Sequence, residues 1–263
     1  MRIVVIGGTG LIGSNVVAKL TEQGHEAIPA SPRLGINTIT GEGLAAALDG
    51  ASVVVDVSNS PNFEYATALE FFETSTRNLL AAAKAASVGQ VVALSVVGTK
   101  ALSEGGDLAT TTAGYFVAKQ TQESMIESSG LPYSIVHATQ FFEFIKSIAD
   151  VQTVDGVVRL PPVLFQPMAA ADVGAGVARV AIEAPANRIV EIGGPEEFRF
   201  DEPVRRVLAA ANDPREVVTD PGAGYYGITV GETSLVPGDD ARLGDTRLAA
   251  WLEASAAVPA GAA

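Results

Sequence analysis

The stretch RIVVIGGTGLIG, Arg2 to Gly13, restricts the fold of this chain more than any other segment. Arg2 to Ile6 is a continuous, mainly apolar run, the pattern of a strand buried on both faces. From Leu11 to Gln23 the apolar residues Leu11, Ile12, Val16, Val17 and Leu20 recur at helical spacing. Between the two lie Gly7, Gly10 and Gly13, one glycine every third residue. A strand that turns on glycines straight into a helix opens a βαβ unit, and such units build a parallel sheet with helices over both faces.

The rest of the chain continues the alternation. Glu26 to Ala30 reads as the second strand, with Pro29 a discord, because proline lacks the ladder donor and favours an edge or a strand end. A short helix at Glu42 to Leu48, a strand at Ser52 to Asp56, a long helix at Tyr65 to Ala86 and a strand at Gln90 to Val96 follow. The segment GYFVAK, Gly114 to Lys119, opens a helix that runs to Gly130, and strands are expected at Pro132 to Ala138 and Arg188 to Gly194. The pattern predicts an α/β fold, a Rossmann-type doubly wound parallel sheet with a small interleaved C-terminal substrate lobe. Residues 1–139 form the expected nucleotide-binding core, completed by the late strand near 188–194, and residues 140–187 and 195–263 the smaller lobe. The terminal ASAAVPAGAA reads as a frayed tail.

Composition removes several function classes. Seventeen Lys and Arg against thirty Asp and Glu give a net charge of −13, a field that opposes a nucleic-acid partner. No apolar run approaches the ~20 residues of a membrane helix, so no membrane partner is expected. The apolar N-terminal run breaks into glycines too early for a secretory signal, which leaves the cytoplasm as the expected location. The absence of cysteine excludes disulfides and thiolate metal sites, and two histidines, His25 and His137, are too few for a histidine-rich metal site.

Glycines at a strand-to-helix turn let backbone N–H groups approach a pyrophosphate, which the helix N-terminus also attracts. Gly7, Thr9, Gly10, Leu11, Ile12 and Gly13 are therefore the candidate phosphate cradle, a plain turn being the alternative. An NAD site would place an acid at the end of the second strand, yet Ala27 through Gly41 contains none. Ser31 and Arg33 stand there instead, a hydroxyl and a guanidinium that suit a 2′-phosphate, so NADP(H) is the expected cofactor. The alternative for Arg33 is a solvated loop residue.

The combination of GGTGLIG, ALSVVG with Ser95, and YFVAK with Tyr115 and Lys119 resembles the short-chain dehydrogenase/reductase superfamily. DVSNSP, TRNLL, TQFFEF and the late IGGPE are similar to its atypical, NmrA-like branch, and the resemblance covers about residues 1–200. It implies Tyr115 as proton donor to a substrate oxygen and Ser95 as the group that binds the reacting carbonyl. Lys119 would lower the phenol pKa and hold the nicotinamide ribose, and Asn59 would line the nicotinamide side. An ammonium beside a phenol, ordinarily near pKa ~10, would favour phenolate. The alternatives are a strand-end hydroxyl for Ser95 and a solvated helix face for Tyr115 and Lys119. One departure is Phe72, which aligns where many relatives carry an asparagine.

Phe63, Phe116, Phe141, Phe142 and Phe144 supply aromatic surface for a flat apolar or aromatic small-molecule substrate, or ordinary lobe packing. His137 reads as a satisfied buried histidine and Asp172 as a helix cap. The resulting expectation is an NADPH-dependent reductase of a carbonyl, quinone or related conjugated small molecule. A non-catalytic NADP(H)-sensing regulatory protein is the alternative. A sugar-nucleotide epimerase or dehydratase is disfavoured by the short C-terminal region, which lacks an evident second basic diphosphate site.

Overall fold

The computed structural model describes residues 1–108 and 112–257. Strand β1 (Arg2–Ile6), helix α1 (Leu11–Glu22) and strand β2 (Glu26–Ala30) form the first unit. Helix α2 (Leu44–Leu48), strand β3 (Val53–Asp56), helix α3 (Tyr65–Ala85) and strand β4 (Gln90–Val96) follow. Helices α4 (Thr99–Glu104) and α5 (Ala113–Glu127) lead to strand β5 (Tyr133–Ala138). Beyond it come α6 (Ile145–Val151), β6 (Thr153–Val154), β7 (Val157–Leu160), β8 (Leu164–Phe165) and α7 (Ala170–Ile182). The chain ends through β9 (Ile189–Gly193), β10 (Phe198–Arg199), α8 (Asp201–Ala210), β11 (Glu216–Thr219), β12 (Arg242–Leu243) and α9 (Leu248–Ala257).

Seven strands pair in the order β12-β9-β5-β4-β3-β1-β2, all in parallel. Strand β2 lies at the edge with Pro29 opposite Val5, and an edge strand needs ladder donors on one side only, which removes the discord of a proline there. The chain leaves β1 toward β2 and then returns to β3 on the other side of β1. That reversal opens a crevice at the carboxyl ends of β1 and β3, where ligands of such sheets bind.

Residue alternation explains the layers. Ile3, Val5, Val53 and Val55 face α1 and α7, whereas Val4, Ile6 and Val54 face α2 and α3. Each fully buried aliphatic side chain contributes about 2 kcal/mol, so both sheet faces are paid for by the strands' continuous apolar character. Helix α7 shares the layer of α1 through Val173, Val177 and Ala181, and β12 joins the main sheet beside β9. Both segments had been expected in the lobe. Apolar spacing marks the helix, but only packing determines which layer receives it and that Arg242–Leu243 pairs with β9.

A second core lies over the carboxyl edge, built from Phe142, Ile145, Leu160, Phe165, Phe200, Leu208 and Tyr225, and supported by the small sheet β11-β7-β6. Helix α9 extends through Ala254 to Ala257, so the first part of the expected frayed tail is helical. Residues 258–263 lie outside the described residues. Among the described residues no helix is long and apolar enough to cross a membrane.

Candidate active site

The glycine turn is built by close approach of backbone to backbone. Gly7 has a φ of +78°, and a methyl group on it would come within 2.9 Å of the Ser58 nitrogen, so the turns after β1 and β3 touch. A methyl on Gly13 would sit 2.0 Å from the Gly7 carbonyl oxygen. Gly10 differs, because its nearest obstacle would be 3.3 Å away and it is exposed, as are Thr9 and Leu11. The Ile12 side chain packs into the core against α7. No side chain caps the first turn of α1 and no acid lies in it, which leaves the positive end of the helix open to an anion.

At the end of β2, Ser31 is 6% exposed and its hydroxyl has no hydrogen-bond partner among the described residues. Arg33 is exposed on the following turn and forms no ion pair among the described residues. An open helix N-terminus, an unpaired buried hydroxyl and a free guanidinium along one edge fit the phosphates and ribose of a dinucleotide.

Across the crevice stands α5. Gly114 lets it approach α3, since a methyl there would meet the Tyr65 Cβ at 2.5 Å. The Tyr115 hydroxyl donates to Asn59 Oδ1 at 3.0 Å, and the same oxygen accepts the Ser60 N–H at 2.9 Å. Phe63 meets the Tyr115 ring edge-on at 4.9 Å and is 55% exposed. Phe116 and Phe142 are lobe core, and Phe141 and Phe144 stack on each other at 5.4 Å. Of the five expected aromatics, then, Phe63 is the exposed one beside the phenol.

Lys119 is buried on the same helix face. Its ammonium donates to the Leu94 carbonyl at 2.8 Å and to Gln122 Oε1, and lies 4.4 Å from the centre of the Phe72 ring. Phe72 thus covers the ammonium. Burial brings the Lys119 pKa down to about 8, against the opposing pull of Asp56 and Glu123. None of these Lys119 contacts is to the Tyr115 hydroxyl. Burial raises the phenol pKa well above its ordinary value, with the Asn59 bond opposing, so the expected lowering by Lys119 is not what the structure gives. The phenol stays protonated.

Asp56 joins the two sides. Its carboxylate accepts from the Ser58 N–H at 2.9 Å, the Ser58 hydroxyl at 2.6 Å and Gln122 Nε2 at 3.0 Å. It thereby ties the loop that carries Asn59 to the helix that carries Tyr115. Burial raises its pKa, against the Ser58 bonds, Lys119 and Gln122.

Ser95 is placed differently from expectation. Its hydroxyl donates to Glu123 Oε1, which also lies 3.0 Å from His137 Nε2. Ser95 is thus committed to a buried Ser95–Glu123–His137 cluster, whereas the bond of the phenol runs to Asn59. Burial resists ionisation of Glu123, yet His137, Ser95 and Lys119 together hold its pKa below the ordinary value. His137 is buried and partnered, as expected. Asp172 does not cap its helix. It accepts from the Thr246 N–H at 2.8 Å, while Glu143 Oε2 takes the Ala170 N–H at 3.0 Å at the start of α7.

Sequence reading missed Asp56, Gln122 and Glu123, although an acid closing the apolar run SVVVD was a visible signal for the first. It also missed Gln140, Tyr225 and Tyr226, which no spacing marks. Buried side-chain atoms without partners among the described residues include Ser31, Ser60, Thr112, Thr139 and Gln140, all near the carboxyl edge of the sheet. Such orphans are rare in native interiors and mark places where polar partners are expected from outside the chain. Two open grooves lie elsewhere, about 340 Å³ on α5 beside Val117 and Thr121, and about 380 Å³ in the lobe beside Pro161 and Pro221; neither is lined by Tyr115 or the glycine turn.

A family described as NAD(P)H-binding matches residues 35–181, more than half of the chain. No curated protein matches the sequence. Among solved structures, MoeE5 in complex with UDP-glucose and NAD is 19% identical, with a TM-score of 0.70 over 97% of this chain and 98% of that one. UDP-N-acetylglucosamine 4-epimerase from Bacillus cereus is 17% identical, with a TM-score of 0.70 over 99% and 97%. A dTDP-4-dehydrorhamnose reductase from Clostridium acetobutylicum is 15% identical, with a TM-score of 0.68 over 96% and 98%. At these identities the likeness is one of fold, a dinucleotide-binding Rossmann architecture. The family match, over more than half of the chain and beside the strand–glycine–helix unit, makes this chain a member of the NAD(P)H-binding family.

Proposed function

We propose that this protein is an NADPH-dependent oxidoreductase of the NmrA-like type that reduces a carbonyl, quinone or related conjugated small molecule, with Tyr115 as proton donor. The carrying observation is the Tyr115–Asn59 pair, a protonated phenol held at the crevice on which the glycine turn also opens. The bound nicotinamide would supply a hydride to the electrophilic carbon. The α1 N-terminus and Gly10 would hold the cofactor's pyrophosphate, and Ser31 and Arg33 its adenosine ribose and phosphate. Tyr115 already directs its proton to an amide oxygen, and a substrate carbonyl can compete for that proton as negative charge develops on it. Lys119, mostly cationic at neutral pH, anchors α5 to the end of β4 through the Leu94 carbonyl and so positions Tyr115.

Two measurements test this. NADPH is expected to bind more tightly than NADH, with Arg33→Ala erasing the difference; a preference for NADH would overturn the cofactor choice. Tyr115→Phe is expected to lower kcat by roughly 10²- to 10⁴-fold with cofactor affinity retained, and full turnover would remove Tyr115 from the chemistry.

One observation favours a second reading. The bonds of Lys119 run to Leu94 and Gln122 rather than to the phenol, an arrangement suited to a protein that senses NADP(H) without turning it over. Tight NADP(H) binding with no oxidation across a carbonyl and quinone panel, together with a recovered protein partner, would favour it. The UDP-sugar complex of MoeE5 does not extend to this chain by likeness alone, and the side chains grouped around Tyr115 are neutral apart from buried Lys119.

A further inference from the structure

Beyond the end of β5 the backbone of Thr139 and Gln140 is tied to two neighbouring segments. The Thr139 N–H donates to the Ile192 carbonyl at 3.1 Å, and the Gln140 carbonyl accepts the Met168 N–H at 2.8 Å. The Gln140 side chain has only a loose contact, toward the Tyr225 hydroxyl. It is 7% exposed, and neither its amide oxygen nor its amide nitrogen has a hydrogen-bond partner among the described residues. A carboxamide both donates and accepts, and buried ones are normally satisfied on both counts.

What faces Gln140 is a turn that is expensive to hold. Tyr225 and Ile228 exchange backbone bonds of 2.8 and 2.9 Å, with Tyr226 at φ +50° and Gly227 at φ +82° between them. Glycine accepts that conformation readily, but a bulky aromatic rarely does, and such a residue persists only where its surroundings impose it. Gln152 imposes it: its Oε1 accepts the Tyr226 N–H at 3.1 Å while its amide nitrogen donates to the Arg159 and Gly224 carbonyls at 3.1 and 2.6 Å. The Tyr226 carbonyl accepts the Thr112 N–H at 3.4 Å, which presses the turn against the start of α5, one turn ahead of Tyr115.

The two rings of the turn meet edge-on at 4.8 Å. The buried Tyr225 hydroxyl lies close enough to Tyr226, Tyr115 and Gln140 for each to bear on its ionisation, yet it is outside hydrogen-bond geometry with the Gln140 amide. Tyr115 and Tyr226 pack against the core cluster that contains Tyr225, and with Gln140 beside the Tyr225 hydroxyl the four make one wall, continued by Phe63 against Tyr115. Every member of that wall is uncharged.

Resting on the reading of Tyr115 as the reacting group, we propose that Gln140, flanked by Tyr225, selects the substrate by pairing with a neutral group that offers a donor and an acceptor side by side. The substrate class is a flat carbonyl compound that also carries a lactam, imide or carboxamide. The aromatic faces hold the ring, and the paired hydrogen bonds orient it.

Isatin, a ring ketone fused to a lactam, and N-methylisatin, which lacks the lactam N–H, separate this proposal from the chemistry. Calorimetric binding to the NADP+-loaded protein is expected to favour isatin by roughly tenfold or more, because a site built to hydrogen-bond a group rejects the analogue without it. Gln140→Leu should reduce that preference to within about twofold, leave NADP+ affinity unchanged and leave Tm equal or higher, since an unpaired buried amide is replaced by an apolar group of similar size. Tyr225→Phe, a smaller change, should weaken isatin several-fold. Isatin preference that survives Gln140→Leu, a melting temperature several degrees lower in that variant, or no binding of either compound would each overturn the proposal. Failure of the Tyr115 reading shows differently, as Gln140-dependent binding of isatin with no turnover that depends on Tyr115.

Discussion

The glycine turn and the α5 face confront each other across one crevice, yet they are constructed in opposite ways. The turn works by having no side chains: Gly7, Gly8 and Gly13 are packed against backbone at distances that exclude a methyl group. The α5 face works by crowding them, with Lys119, Gln122 and Glu123 from the helix, Asp56 from β3, Ser95 from β4 and His137 from β5 sharing one buried layer. The turn is therefore intolerant of any addition. The polar layer is tolerant of changes in shape and intolerant of losing a partner, because a buried charge without its counterpart is costly.

This contrast can be broken most decisively at Gly13. Gly13→Ala is expected to cost about 3 kcal/mol in urea unfolding and to abolish dinucleotide binding. Gly10→Ala should leave stability within about 1 kcal/mol while still weakening the cofactor, since only Gly10 faces outward. Equal stability losses would show that both glycines serve the turn alone.

On the other side, Lys119 makes a signed prediction. Between about pH 8 and 10.5 the native protein has released a proton that the unfolded chain still holds, so this group makes stability rise with pH across that window. The rise is on the order of 2 to 3 kcal/mol, and Lys119→Met should flatten it in denaturant titrations run at successive pH values. A stability that falls through the window in wild type and variant alike would contradict the buried ammonium.

Glu123 behaves in the opposite sense. Its folded pKa is depressed, so its contribution is present above the ordinary value of 4.5 and is lost as pH falls through the folded value. Glu123→Gln should cost about 2 kcal/mol at neutral pH and soften the acid limb of the stability curve. Asp150 and Asp213, both held low by Arg215, keep part of that limb in the variant. The smallest effect is expected at Ser95. Ser95→Ala should cost about 1 kcal/mol and change kcat by less than about threefold, whereas a hundredfold loss would return Ser95 to the reacting group.

Legibility followed the range of the interactions. The β1 and β2 limits, the glycine turn and the Tyr115–Lys119 spacing were readable because each depends on neighbours a few residues apart. Phe72 could be aligned from RNLLAAAK, and the structure brings its ring against Lys119. The partners of Lys119, Ser95 and Asp172 were not readable. Lys119 reaches back to Leu94 across the sheet, Ser95 finds Glu123 on a later helix, and Asp172 holds Thr246 near the far end of the chain. A hydroxyl or carboxylate has several acceptable partners, and the chain's order does not rank them.

By itself the sequence determined a parallel α/β sheet, a phosphate-suited turn at its switch point and a phenol one helical turn ahead of an ammonium, because apolar periodicity and glycine placement act locally. Tertiary structure alone decided that α7 would layer beside α1, that Asp56 would bind the Asn59 loop to α5, and that a strained tyrosine turn would face an unpaired glutamine. Those outcomes depend on which buried polar groups meet across long separations, where desolvation penalises every unpaired atom and only the folded packing determines which pairs form.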